Sequence, residues 1–267
     1  FRTGEVSVAL GLVDLLFLAF VVVQFRYLFG GAEMVEVTPG LTYAAYAREG
    51  FFQLVVATAL GLPWLLAADT LVGEQEKSTR WGFRALAGVQ LVLLLAIVGS
   101  AIQRMRAYLE VYGVSEDRFV ATAILLWLAL LVFLFGATVL RGRRAPFASG
   151  ALVSGFALVA ILHLLNPAAF AARSQLDRAA TTVQGRPGVA TQLDSRYLAS
   201  LGSDAVPILV ERIEELPEAD RGVVAERLLS RWGPDLRWDW RTWNLADWRA
   251  RQVVEENAHR LGAMAGR

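Results

Sequence analysis

The sequence predicts an all-α integral membrane protein with about five transmembrane helices followed by a small all-helical soluble tail. Three observations carry this. Apolar stretches at 6–25, 51–69, 85–102, 119–140 and 147–165 come close to or reach the ~20 residues that a helix needs to cross the hydrocarbon core. The composition, 55% hydrophobic over 267 residues with a mean hydropathy of +0.44, is too apolar for an ordinary soluble domain and not apolar enough for a chain held wholly in the membrane. Beyond Pro167 the chain turns polar and rich in tryptophan. A transmembrane bundle over 1–167 and an extracytoplasmic helical tail over 168–267, packed on the bundle, are therefore expected.

The first stretch follows only Arg2 and Glu5 as charges, exceeds the usual length of a signal-peptide core and has no small-residue cleavage site after it, so it reads as a retained span. The first residue is Phe1, which suggests a longer protein with spans upstream. In the second stretch Pro63 removes a backbone donor and should kink the helix ahead of Trp64 and Leu66. Ser115 stands as N-cap of the fourth, with Glu116 and Asp117 at the positive end of the helix dipole. The fifth carries small residues at Gly150, Ala151, Ser154 and Gly155, a surface for close helix packing, and ends at Asn166-Pro167.

In the tail, 168–180 is helical and 184–188 is a loop. A helix follows over 193–201, stopped at Gly202. The next covers 204–216, capped by Ser203, with Pro207 in its first turn and Val206, Leu209, Val210 and Ile213 on one face. Further helices are expected over 219–232 and 245–261, the last with Ala250, Val254, Ala258 and Leu261 in line.

Charge and composition exclude several chemistries. Twenty-six basic residues against 25 acidic give a net charge of +1, with no polybasic field to attract nucleic acid. The absence of cysteine removes disulfides, thiolate metal sites and thiol nucleophiles. No metal site or cofactor is predicted. His163 and His259 are the two histidines, and only His163 lies in an apolar stretch, so one chain has no bis-histidine haem in the membrane. Axial ligation by His163 stands beside the plainer reading, a hydrogen bond to a neighbouring helix.

Short-loop charges orient the spans. Lys77, Arg80, Arg84, Arg141, Arg143 and Arg144 fall on one side with Arg2; Arg26, Arg48, Arg104, Arg106 and Arg118 fall on the other, mixed with Glu49, Glu110, Glu116 and Asp117. This places the N-terminus in the cytoplasm and the tail outside, as in a multi-pass protein of a cytoplasmic (inner) membrane.

Several strings carry a resemblance. These are Gln24-Phe25-Arg26-Tyr27-Leu28-Phe29-Gly30-Gly31, Tyr43-Ala44-Ala45-Tyr46-Ala47-Arg48-Glu49-Gly50-Phe51-Phe52, and Arg104-Met105-Arg106-Ala107-Tyr108 with Tyr112-Gly113. The tail adds Leu193-Asp194-Ser195-Arg196-Tyr197-Leu198 and Ser203-Asp204-Ala205-Val206-Pro207. In these the chain resembles a bacterial family of multi-spanning membrane proteins known by a domain of unknown function. The resemblance implies the architecture and no activity.

With antiparallel spans, the polar residues Arg26, Arg48, Glu49, Gln53, Arg104, Arg106, Asp117 and Arg118 all fall at one end of the bundle. They form either a pocket for an anionic head group or small polar ligand, the arginines pairing with phosphate or carboxylate, or an ion-pair network that clamps the span ends. Asp14 is the deepest carboxylate, with no Lys or His in the middle of another span to complete a relay. Trp232, Trp238, Trp240, Trp243 and Trp248 alternate with arginines and serve as the tail's own core or as an interfacial segment among lipid head groups.

Two functions are open on this reading. One is a non-catalytic membrane scaffold, assembly or signal-transducing component, partnered by lipids and by other membrane subunits or a second copy. The other is a membrane enzyme or binding protein for an anionic or lipid-linked substrate held by the polar cluster.

Overall fold

The computed structural model describes residues 3–29, 51–72, 77–183, 194–234, 241 and 243–266; at 3, 23–29, 51–52, 77–80, 110–112 and 179–183 it describes the backbone alone. The protein is an all-α integral membrane protein. Its long helices are α1 (Thr3–Phe29), α2 (Phe51–Val72), α3 (Lys77–Tyr112), α4 (Glu116–Thr138) and α5 (Arg144–Leu165). Each contains a segment long and apolar enough to cross a bilayer, from Gly4–Val22 in α1 to Arg144–Leu165 in α5.

The third span is longer than its apolar stretch. Helix α3 continues through Gln103, Arg104 and Arg106, and the spanning segment covers Trp81–Leu109 rather than 85–102. Polar side chains change what surrounds a helix, not its backbone hydrogen bonds, so hydropathy underestimates helix length. Helix α2 likewise continues through Pro63.

The contacts divide the chain into two compact units, one of residues 1–110 and 120–161, the other of 111–119 and 162–267. In the first, Leu10, Leu65, Leu94 and Phe135 are fully buried in one cluster, where Phe135 meets Phe147 edge-on at 5.3 Å. A second cluster gathers Leu54, Ile97, Ala101, Met105 and Leu125. The opposite faces, including Leu12, Leu16, Val92, Phe133 and Phe156, are exposed, as lipid-facing surfaces are. Lipid is as apolar as leucine, so close packing rather than hydrophobicity holds such helices together. Small residues permit it: the Leu94 side chain comes within 3.0 Å of where a Cβ on Gly61 would stand. On α5 the small-residue surface packs against α4, with Trp127 3.4 Å from a Cβ at Gly155 and its indole Nε1 donating to Ser154 Oγ at 3.0 Å.

Asp69, which its place at a span end marks as a solvated boundary residue, is instead 8% exposed. Arg144 donates from Nε to its carboxylate and from Nη2 to its backbone oxygen, tying the end of α2 to the start of α5. Charge-assisted bonds of this kind contribute about 1.5–3 kcal/mol.

The second unit begins where Asn166 turns the chain. It takes the left-handed conformation (φ 49°), and its Oδ1 accepts from the Ala169 N–H at 3.2 Å, ending α5 and capping α6 (Pro167–Val183). After it come α7 (Ser195–Ser200), α8 (Val206–Glu211), α9 (Glu218–Trp232), α10 (Leu245–Glu256) and α11 (Ala258–Met264). Asp194 caps α7 by accepting from the Tyr197 N–H. Leu198, Val206, Leu209, Ile213, Leu228 and Leu261 fill the core; each buried leucine or valine contributes about 1.5–3 kcal/mol.

Two expected helices are broken. The run 204–216 consists of a 3₁₀ turn at Ser203–Ala205, α8, and a second 3₁₀ turn at Ile213–Glu215. The break falls at Arg212, whose guanidinium is held by Glu215 and by Asp177 of α6 at 2.6 Å. The run 245–261 divides at Asn257, where the side-chain amide donates to the Val253 carbonyl at 2.8 Å.

The Arg212 node makes the unit sensitive to acid. The hydrogen bond from Arg212 holds the Glu215 carboxyl below its ordinary value of 4.5, and the same pairing raises the guanidinium further. A carboxylate with a depressed folded value stabilises above its unfolded pKa and loses that contribution as pH falls through the folded one. The melting temperature of Arg212→Ala should therefore lie below the parent's by a constant margin at neutral pH, and the margin should shrink once pH drops under 4.5. Thermal melts from neutral to acid pH check this.

Candidate functional site

The residues of the predicted polar cluster fall as follows. Arg48 and Glu49 lie outside the described residues, as does the side chain of Arg26. Gln53 is exposed on α2 and lines a mostly apolar groove of about 300 Å³ with Leu16, Phe17, Phe20 and Ala57. Arg104, on α3, is only 4% exposed, while Arg106 is exposed. Asp117 and Arg118 belong to the second unit, Asp117 exposed and Arg118 half-buried. His163 is exposed on α5.

Within the second unit the described residues form a polar seam, where the loop between α3 and α4 is bound by the tail. Gly113 starts it with a left-handed backbone (φ 72°), a conformation open to glycine because it lacks a Cβ. Arg118 Nη1 donates to the Gly113 carbonyl at 2.8 Å, and Gln175 Nε2 of α6 donates to the Val114 carbonyl at 2.9 Å. Ser115 caps α4, its Oγ accepting from the Arg118 N–H at 3.4 Å and its carbonyl from the Phe119 N–H at 2.9 Å. The Glu116 N–H donates to the hydroxyl of Tyr197 on α7 at 3.0 Å. Phe119 and Phe170 close the apolar side, with ring centroids 5.0 Å apart.

The N–H groups of Glu116 and Arg118 are donors that the start of α4 leaves open, and the Gly113 and Val114 carbonyls are loop acceptors satisfied by side chains. Burial pushes the Tyr197 phenol above its ordinary value of 10.0, the bond from Glu116 opposing it, so the hydroxyl stays neutral at physiological pH and accepts as a neutral group. The hydrogen bonds of the seam join side chains to backbone groups, the chemistry of a structural joint.

Sequence reasoning found the Ser115 cap and missed Gln175 and Tyr197 as partners of the loop. Asp194 offered one signal, since a capping aspartate sets the register that places Tyr197 on the first turn of α7. Nothing local marks Gln175, which acts 61 residues from its acceptor.

Of the tryptophans, Trp232 is 4% exposed in the tail core, with the Arg231 guanidinium 4.6 Å over its ring. Trp243 and Trp248 are exposed by 53% and 47%, and Trp238 and Trp240 lie outside the described residues.

Compared with protein families, residues 1–212 match one described as Domain of unknown function (DUF4153). No curated protein and no solved structure matches the chain.

Proposed function

The chain belongs to the DUF4153 family, and from that premise we propose that it is a non-catalytic scaffold, assembly or signal-transducing component of a bacterial cytoplasmic membrane. One observation carries the reading. The chain passes between its two compact units at 110/111, 119/120 and 161/162, so the tail's unit is joined covalently to three spans, α3, α4 and α5. A domain on one linker moves without disturbing its anchor, whereas a unit built around an interspan loop transmits force to the helices on both sides of it. The seam from Gly113 to Tyr197 supports this by holding the loop with directional bonds rather than leaving it as a slack connection. The short-loop charges support an extracytoplasmic tail. Lipids and other membrane subunits, or a second copy, are the partners such a component requires.

The second reading, an enzyme or binding protein for an anionic or lipid-linked substrate, is supported by the burial of Arg104 near the end of a span, since ionisable groups at that depth commonly mark ligand sites. Native mass spectrometry of the protein extracted gently from its own membrane separates the two. A stoichiometric partner chain, retained by Arg48→Ala and Glu49→Gln variants, is the expected result. A bound anionic lipid or metabolite that disappears in Arg48→Ala, with no partner chain, would replace the first reading by the second.

A further inference from the structure

The core of the first unit contains polar groups that its packing leaves unsatisfied. Asp14, near the middle of the span Gly4–Val22, is 6% exposed, and among the described residues neither of its carboxylate oxygens has a hydrogen-bond partner. Gln90 on α3 is 0% exposed, and both its amide nitrogen and its amide oxygen are equally without partners. Thr58 on α2, also fully buried, shows the contrast: its hydroxyl donates to the Leu54 carbonyl at 2.9 Å and requires nothing more.

Asp14 and Gln90 face the same cluster. Asp14 lies one turn beyond Leu10, and Gln90 lies between Ala87 and Leu94; all three neighbours are fully buried members of one hydrophobic core. A buried carboxylate without a counter-charge is not tolerated at bilayer depth, where an unpaired charge costs several kcal/mol or more. Among the described residues, the elements packed around it supply none. In α1 Glu5 is exposed; on α2 Asp69 is occupied by Arg144. On α3 Arg84 is exposed and Arg104 stands about 21 Å along the helix from Gln90, at 1.5 Å per residue. Helix α4 carries no titratable residue from Val120 to Thr138, and along α5 Arg144 and His163 sit at the two ends.

We propose that Asp14 and Gln90 form a buried site for a single positive charge, a proton or a monovalent alkali cation, within the span bundle. The donor set defines the ligand. One carboxylate neutralises one positive charge, so a divalent ion would leave an excess buried charge and an anion would add to the existing one. Carboxylate and amide oxygens are hard donors, suited to a proton or to an alkali ion and unsuited to a soft metal. In the occupied site the amide oxygen of Gln90 completes the donor set, accepting from the carboxylic acid or binding the cation. Occupancy is linked to stability, because a ligand bound by the folded state alone raises its melting temperature.

The test uses the full chain in nanodiscs of zwitterionic lipid. Melting temperature is followed against pH without sodium, and against sodium at fixed pH with choline balancing the ionic strength. A proton site shows a melting temperature that rises by several degrees with acidity and ignores sodium; an alkali-cation site rises with sodium. In either case Asp14→Asn abolishes the response, and Gln90→Leu weakens the apparent affinity about tenfold, the loss of one charge-assisted hydrogen bond. Difference infrared spectra of the parent add a readout independent of any variant: the carboxylic-acid band appears with acid in the proton case, and the carboxylate bands shift with sodium in the other. A parent that responds to neither ion, or a response that Asp14→Asn retains in full, overturns the proposal.

Discussion

Gly113→Val is expected to destabilise the tail's unit by about 2–3 kcal/mol and to release the loop between α3 and α4. A residue with a Cβ loses about 1–2 kcal/mol in the left-handed region, and a β-branched one has still less freedom there. The space adds to the penalty, since the new Cβ would stand 2.9 Å from Gln175 Nε2 and 3.2 Å from Arg178 Nε. Gln175 must then move off the Val114 carbonyl, forfeiting a bond of about 1 kcal/mol. Gly142 provides the control: its backbone is similar (φ 79°), but nothing lies within 4 Å of its Cβ position. Gly142→Val should show the conformational cost alone, and the excess at Gly113 measures the seam. Hydrogen exchange localises the effect, with protection falling over 113–119 and over α7 in Gly113→Val. Equal destabilisation by the two variants, with the loop still protected, would mean that the seam contributes little.

Trp232→Ala is expected to cost the tail about 3–5 kcal/mol, the range for truncating a buried aromatic residue. At 4% exposure the indole packs against the core of the second unit, and its loss leaves a cavity that α9 and its neighbours fill only in part. Trp243→Ala and Trp248→Ala, at 53% and 47% exposure, should change stability by no more than about 0.5 kcal/mol. Their effect is expected in another assay: on anionic vesicles the double variant should bind the membrane surface less tightly than the parent if these indoles rest at head-group depth. Unchanged vesicle binding would make them plain surface residues. A Trp232→Ala protein with parental melting would place this ring outside the stabilising core.

How much was legible depended on the range of the interaction that decides each feature. The spans could be read because a bilayer imposes a length and a polarity on any helix that crosses it, and both are properties of consecutive residues. Ser115 and Asn166-Pro167 could be read for a related reason: a cap is satisfied within three or four residues of itself. Where the extent of a helix depended on something distant, local pattern erred. Hydropathy ended the third span at 102, although the helix runs to Tyr112, because hydropathy reports partition and not backbone bonding. The run 204–216 had an unbroken apolar face, yet it divides at Arg212, whose partner Asp177 lies 35 residues away.

The polar residues divide in the same way. Their types and their position at one end of the spans follow from sequence and an alternating topology, but membership of a site requires knowing which side chains face one another. Asp69 and Arg144, 75 residues apart, were unremarkable separately and form a clasp together. Asp14 could be recognised from sequence as a deep carboxylate; that Gln90 faces the same core, with neither satisfied, is a fact of packing. The sequence by itself determined the membrane architecture and the helical tail, since these follow from partition free energies and local hydrogen bonding summed along the chain. Only the tertiary structure decided that the α3–α4 loop belongs with the tail and which buried polar groups go unpaired, since both depend on approach between residues that the chain keeps far apart.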